Sequence, residues 1–304
     1  MKGLAEFVMR GRLHALATVV LGAGSMLLCW ISAAVLALVA LRKGVQEAAW
    51  ILLWALLPAG AVMFVYGDSS PLALLVGSMV LALVLRGTVS LAITVLASAG
   101  VALVSGLLMV VFAGDFLAQL AAGLSEFIAG LEAQLAATGG EAVAMGQPSA
   151  VWLAGMLGAG NGMLAMLCVL LARYWQAALY NPGGFGEEFR ALRYPPSMSM
   201  GLVLGSIAVA ALGTQYGTWA VVFMVPLSFA GLALVHARAA SRGWGTTGMS
   251  VFYLAWVVVD PVKLIVVFAA IADSWFDFRQ RWAAGSAGKS VAKKGDRDDP
   301  PEQD

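Results

Sequence analysis

Charge is what this chain has least of: Asp, Glu, Lys and Arg make up 12% of its 304 residues, against roughly 25% in a soluble domain. The 61% of hydrophobic residues exceeds what a soluble core can absorb, so the shortage of charge excludes an ordinary water-soluble protein. Cysteine is confined to Cys29 and Cys168, both inside apolar runs, which excludes a disulfide framework and any Cys-x-x-Cys metal or redox motif. Histidine is confined to His14 and His236, and the ligand clusters that a metal site needs are missing from the sequence pattern. Neither a Gly-x-Ser-x-Gly elbow, a His-Glu-x-x-His pair nor a Walker-type phosphate loop occurs, so the sequence points to no enzyme and no cofactor. A net charge of +1 gives no ground for a nucleic-acid partner.

What is present is a series of apolar segments, at 13–24, 26–41, 46–66, 70–86, 88–113, 149–172, 197–213, 217–237, 248–259 and 261–276. A helix needs roughly 20 apolar residues to cross the hydrocarbon layer, because its backbone must satisfy its own hydrogen bonds there. The expected fold is an all-α integral membrane protein, a polytopic helical bundle of about 8–10 transmembrane segments. Two of these are short hairpins. Lys2, Arg10 and Arg12 precede the first pair of segments and Arg42 and Lys43 follow it, so the pair turns back near Gly22–Ser25. The start superficially matches a cleavable signal, but apolar sequence resumes at once through Leu41, which favours retention as a membrane segment. The last pair breaks at Asp260-Pro261 and is bracketed by Arg238 and Arg242 before and Arg279 and Arg281 after.

Basic residues prefer the cytoplasmic side, and this arrangement puts both termini and all Lys and Arg except Lys263 there, in a bacterial cytoplasmic (inner) membrane. The interval between Arg86 and Arg173 has no basic residue, so 114–148 becomes an external loop. Within it Phe116, Leu117, Leu120, Leu124, Phe127, Ile128, Leu131 and Leu135 recur at helical period, predicting an amphipathic helix on the outer face. The main cytoplasmic loop covers 173–196, with a helix stop at Asn181-Pro182-Gly183-Gly184 and a short helix from Glu187 to Arg193. The transmembrane domain is 1–283, and 284–304 reads as a disordered cytoplasmic tail.

Within this frame two stripes of small residues recur every four positions, Ala154, Gly158, Gly162 and Ser197, Gly201, Gly205, and both predict close helix packing. The glycines around Asn161 mimic a dinucleotide fingerprint but lack the preceding strand, which excludes that reading. Asn161, Asp260 and Lys263 are candidate ligand-binding residues, since polar groups at membrane depth are costly; for each, helix glue or a solvated pair is the plainer role. Asp273 and Asp277 repel unless cations lie close by, and Arg173, Arg190 and Arg193 are the expected partners. With Asn181, Glu188 and Arg279 these residues form a candidate ionic cluster or docking face for a cytoplasmic protein. Trp175, Tyr180, Trp275 and Trp282 suit an inner aromatic belt, and Trp152 and Trp219 an outer one.

The stretch Arg173-Tyr174-Trp175-Gln176-Ala177-Ala178-Leu179-Tyr180-Asn181-Pro182-Gly183-Gly184-Phe185 and the ending Asp273-Ser274-Trp275-Phe276-Asp277-Phe278-Arg279 resemble the YybS-like family of bacterial multi-span membrane proteins. That family is similar in pattern to the substrate-binding S-components of energy-coupling-factor vitamin transporters. The resemblance implies a transporter-like bundle that binds a small-molecule ligand; a non-transporting scaffold or biogenesis factor that docks a membrane or cytoplasmic protein is the alternative. S-components carry an Ala-x-x-x-Ala docking face on their first helix, whereas here Ala33 and Ala37 keep that spacing on the second segment.

Overall fold

The computed structural model describes residues 2–25, 27–138 and 146–282, and every described regular element is helical. In chain order the α-helices are α1 (Lys2–Met9), α2 (Arg12–Ala23), α3 (Cys29–Arg42), α4 (Val45–Tyr66), α5 (Ser70–Thr88), α6 (Leu91–Phe112), α7 (Gly114–Ala137), α8 (Ala150–Tyr180), α9 (Gly184–Ala191), α10 (Pro196–Ala210), α11 (Gly217–Arg242), α12 (Thr246–Val258) and α13 (Asp260–Phe276), with a 3-10 turn at Thr214–Tyr216. Among the described residues six helices are long and apolar enough to cross a bilayer, and a seventh span arises if the bent pair α12–α13 is counted as one. The protein is therefore an all-α, multi-pass membrane protein. The segments predicted at 13–24, 26–41 and 197–213 form helices of only 12, 14 and 15 residues. The tail expected to be disordered, 284–304, and Glu141 of the external loop lie outside the described residues.

The chain divides into two compact units, Met1–Glu188 with Leu202–Pro226, and Phe189–Gly201 with Leu227–Asp304.

In the first unit the predicted hairpin is present: α2 and α3 pack together, and a side chain on Gly22 would collide with the Ser32 hydroxyl. At the turn, a methyl group on Gly24 would sit 3.4 Å from Pro58, about 20 Å along α4 from its start. The hairpin thus reaches well into the depth of α4 without matching its length. α3 is the most enclosed helix of this unit, with every side chain from Ser32 to Leu41 buried. Arg86, at the end of α5, donates to the carbonyl oxygens of Ala40 and Leu41 at 3.1 and 2.9 Å, satisfying acceptors that the end of α3 leaves open.

The most extensive helix pair is α6 with α8, and here the stripe on α8 meets a matching one. A methyl group on Gly158 would lie 2.6 Å from the Ala102 carbonyl oxygen and 2.9 Å from the Gly106 Cα; one on Gly162 would lie 2.8 Å from the Ser98 carbonyl oxygen. Ser98, Ala102 and Gly106 are themselves four residues apart, so small residues on both helices let the backbones meet. The stripe on α10 behaves differently. Ser197 and Gly201 are exposed, and a side chain on Gly201 would meet nothing within 4 Å. Packing there goes through Ser199 and Leu202 instead, which are buried.

Ser149 caps the start of helix α8, its hydroxyl accepting from the Trp152 N–H at 3.1 Å, and the helix continues to Tyr180. Its 31 residues extend about 46 Å, well beyond the roughly 30 Å of hydrocarbon. The loop predicted from Arg173 therefore begins only at Asn181: a charged residue beyond the hydrocarbon has no reason to end a helix. The predicted short helix after it is present as α9, three residues earlier than expected. α7 fills the predicted external amphipathic segment; only Leu117 is buried, while Leu120, Phe127, Leu131 and Leu135 are exposed. At 24 residues it is also long enough to cross, although Asp115, Glu126 and Glu132 lie along it.

In the second unit, α12 and α13 meet at a 109° bend where the sequence has Asp260-Pro261. Gly231 of α11 lies so close to Val266 that any side chain would strike its carbonyl oxygen. Two of the expected aromatic anchors are core residues. Trp175 is 1% exposed, and Trp219 packs against Gly106 and Gly155 with its indole N–H donating to the Val151 carbonyl at 2.9 Å. Tyr180 and Trp275 are exposed as anchors should be.

Candidate functional site

Three sets of residues bear on function: a groove in the first unit, an ionic cluster in the second, and polar residues taken from each unit by itself. The first is a groove of about 590 Å³ between α5 and α6, with Met63 of α4 at its edge. Leu72, Ala73, Val76, Gly77 and Val80 line one wall, and Ala97, Gly100, Val101, Val104, Ser105, Leu108 and Phe112 the other; Ser69 and Ser105 supply the hydroxyls. Val76, Val80, Val104, Leu108 and Phe112 are exposed, so in a bilayer the groove opens toward lipid. A small residue leaves part of the groove empty: a methyl group at Gly100 would meet nothing within 4 Å. The volume suits a small molecule, and an almost wholly apolar lining favours one with few polar groups. Sequence periodicity does not reveal this groove, because its residues come from separate helices.

The second arrangement is the ionic cluster of the second unit. Asp273, 1% exposed, faces Arg279 Nε at 3.5 Å and Arg193 Nε at 3.9 Å, and its Oδ1 accepts the Phe278 N–H at 3.0 Å. Arg193 also donates to Asp277 and, at 3.2 Å, to the Ser274 carbonyl. Arg279 donates to the Leu192 carbonyl at 2.8 Å. Asp277 ends α13 in the left-handed region, φ +46°, and its Oδ1 accepts the Gln280 N–H at 3.2 Å. Burial alone would raise its pKa, but the Gln280 N–H and the Arg193 guanidinium outweigh it and hold this carboxyl below the usual range. Burial lowers the Arg279 pKa, opposed by the attraction of Asp273.

Of the three expected cations, Arg193 reaches both aspartates, and Arg279, also expected in the cluster, completes it. Arg193 and Arg279 neutralise the two aspartates. Arg173 instead pairs with Glu188 at 2.8 Å and Gln176 at 2.9 Å, and Arg190 makes no ion pair among the described residues. Asn181 caps the end of α8 through its backbone N–H, which donates to the Ala177 carbonyl. The spacing of the aspartates showed that cations were needed; which arginines reach them is decided by the turn after α13 and by the 192–195 segment.

The third arrangement is the set of polar residues in or near the apolar helices. Asn161 is buried, 7% exposed, and its Nδ2 has no hydrogen-bond partner among the described residues. Lys263 Nζ lies 2.7 Å from Asp260 Oδ1, with side chains 44% and 87% exposed, an open pair at the helix bend. None of these three lines the α5–α6 groove. Cys29 and Cys168 are buried and free, and Cys168 Sγ donates to the Trp30 carbonyl at 3.3 Å. Ala33 and Ala37, the pair with S-component docking spacing, are both fully buried and present no face to a partner.

Compared with known proteins, the chain matches no family model, no curated protein and no solved structure. What places it in a class is its own architecture, that of an all-α multi-pass membrane protein whose setting is the lipid bilayer.

Proposed function

We propose that this protein is a small-molecule-binding component of a bacterial cytoplasmic membrane, YybS-like and resembling an S-component, that takes a largely apolar ligand from the bilayer into the groove between α5 and α6 for transport. The observation that carries this reading is the groove itself: about 590 Å³, walled by apolar side chains, with two serine hydroxyls to orient a ligand. Its opening toward lipid gives an apolar molecule a route that avoids water. Both termini are cytoplasmic in this reading: Arg42, Lys43, Arg86 and Arg173 lie at helix ends on the N-terminal side of the first unit, and in the sequence Arg238, Arg242, Arg279 and Arg281 bracket the last helix pair.

The alternative, a scaffold docking a cytoplasmic partner through the ionic cluster, has less support. Arg193, Asp273, Asp277 and Arg279 neutralise one another's charge, so a charged partner gains little from them without breaking a neutral set. The buried Ala33 and Ala37 likewise favour a binding protein that does not dock through that helix in the S-component manner.

Native mass spectrometry of protein purified gently from its own membrane tests the proposal. One apolar small molecule per chain, distinct from the bulk lipids, is the expected result. A stoichiometric protein partner with no such molecule would move the function to the scaffold reading.

A further inference from the structure

A second groove lies elsewhere in the first unit, between α2 and α4. It has a volume of about 460 Å³ and is lined by Leu13, Leu16, Ala17, Val20, Leu21 and Trp54. Leu13 and Leu21 are 71% and 78% exposed, so the groove is open along its length. From Leu13 to Leu21 it runs about 12 Å, close to the depth of one leaflet's hydrocarbon, about 15 Å. α2 ends at that depth because the hairpin turns back against Pro58.

The mouth of the groove is charged. Arg12, one residue before Leu13, stacks on the Trp50 ring at 3.8 Å and faces Glu47 at 3.0 Å. That ion pair brings the start of α2 to the first turn of α4, which Lys43 precedes by two residues. Arg10 stands at the turn between α1 and α2 and makes no ion pair among the described residues. Arg10, Arg12 and Lys43 against Glu47 leave an excess of two positive charges at the end where lipid headgroups lie. Trp50 and Trp54, one turn apart on α4 with rings 6.2 Å apart, join the cationic mouth to the apolar wall.

We infer that this groove holds one anionic glycerophospholipid of the leaflet on the side of the N-terminus, its chains along α2 and its phosphate at Arg10 and Arg12. Length, exposure and charge agree on this occupant: a zwitterionic lipid fits the wall equally well but gains nothing from the excess charge, and a protein helix would need more than 12 Å of seam. Glu47 competes with the phosphate for Arg12, so it tunes affinity downward.

The test uses the full chain, stripped of lipid in detergent and offered equal amounts of phosphatidylglycerol and phosphatidylcholine with identical acyl chains, with bound lipid counted by native mass spectrometry. Preferential retention of one phosphatidylglycerol is expected, weakening as salt is raised. Arg12→Gln is expected to lower that preference about fivefold, the attraction of one basic residue for an anionic surface, and Arg10→Gln with Arg12→Gln to abolish it. Glu47→Gln should strengthen it. This opposition of sign separates the inference from a merely structural Arg12–Glu47 pair, whose loss from either side acts in one direction. Equal retention of the two lipids, or a fall in preference with Glu47→Gln as well as Arg12→Gln, overturns it.

Discussion

Two stripes of this molecule share one sequence pattern and come to different ends. Ala154, Gly158 and Gly162 on α8 press against backbone, while of Ser197, Gly201 and Gly205 on α10 the first two are exposed and Gly201 faces open space. The difference lies in the partner. α6 offers Ser98, Ala102 and Gly106 at the same spacing, so two flat faces meet; on the α10 stripe the close neighbour is the ring of Phe223, 2.9 Å from where a methyl group on Gly205 would lie. A small residue every fourth position permits close approach of helices in lipid, and it takes a matching face opposite to use it.

Substitutions can break this comparison. Gly162→Leu has the largest expected effect: the added side chain meets the Ala102 methyl and the Ser98 carbonyl, which cannot move aside, and overpacking of this kind costs about 3 kcal/mol. Thermal unfolding in detergent should show a large loss for Gly162→Leu and for Gly158→Leu. Asp273→Ala comes next. It leaves Arg279 without its buried carboxylate, at a cost of about 2 kcal/mol, below the full value for a buried pair because the arginines reach solvent. Asp273→Ala combined with Arg279→Met should recover part of that loss in the same assay.

A smaller effect comes from pH. The Asp277 carboxyl is held below its ordinary range, so its contribution is fully present above the unfolded-state pKa and is lost as pH falls through the lower folded value. The tie from Arg193 to the end of α13 should therefore loosen only in acid. Limited trypsin digestion after acid exposure, read as cleavage at Arg193, should leave neutral samples intact, and Asp277→Asn should remove the acid dependence. Smallest, and opposite in sign, is Gly201→Ala: with nothing within 4 Å of the new methyl, the helix gains about 0.5 kcal/mol from lost chain freedom in the unfolded state. A destabilised Gly201→Ala would mean that the two stripes are alike after all.

The sequence announced the breaks better than the contacts. Gly22–Ser25, Asn181–Gly184 and Asp260-Pro261 all mark turns or bends because glycine, proline and charge act locally on the chain. Arg173 misled the placement of a loop, since a charge beyond the hydrocarbon leaves helical geometry untouched. Trp175 and Trp219 look like interface anchors on composition, yet both fill the core; for Trp219 the room is made by the glycines at 106 and 155. The need for cations near Asp273 and Asp277 was legible, but the choice of Arg193 and Arg279 over Arg173 and Arg190 depends on tertiary geometry. The α5–α6 groove was not legible at all, because exposed apolar residues that line a cavity and those that face lipid read alike.

The central claim is that the α5–α6 groove is a ligand site, and Gly100 tests it with least disturbance. Gly100 lines the groove and has nothing within 4 Å of an added Cβ, so Gly100→Phe directs a ring at the groove; Gly201→Phe adds the same ring at a position that is equally open at its Cβ and lies outside the groove. The decisive measurement is the amount of small molecule retained per chain by wild type, Gly100→Phe and Gly201→Phe after identical mild purification. The account predicts loss in Gly100→Phe alone; equal retention by all three, or retention of bulk lipid only, would contradict it.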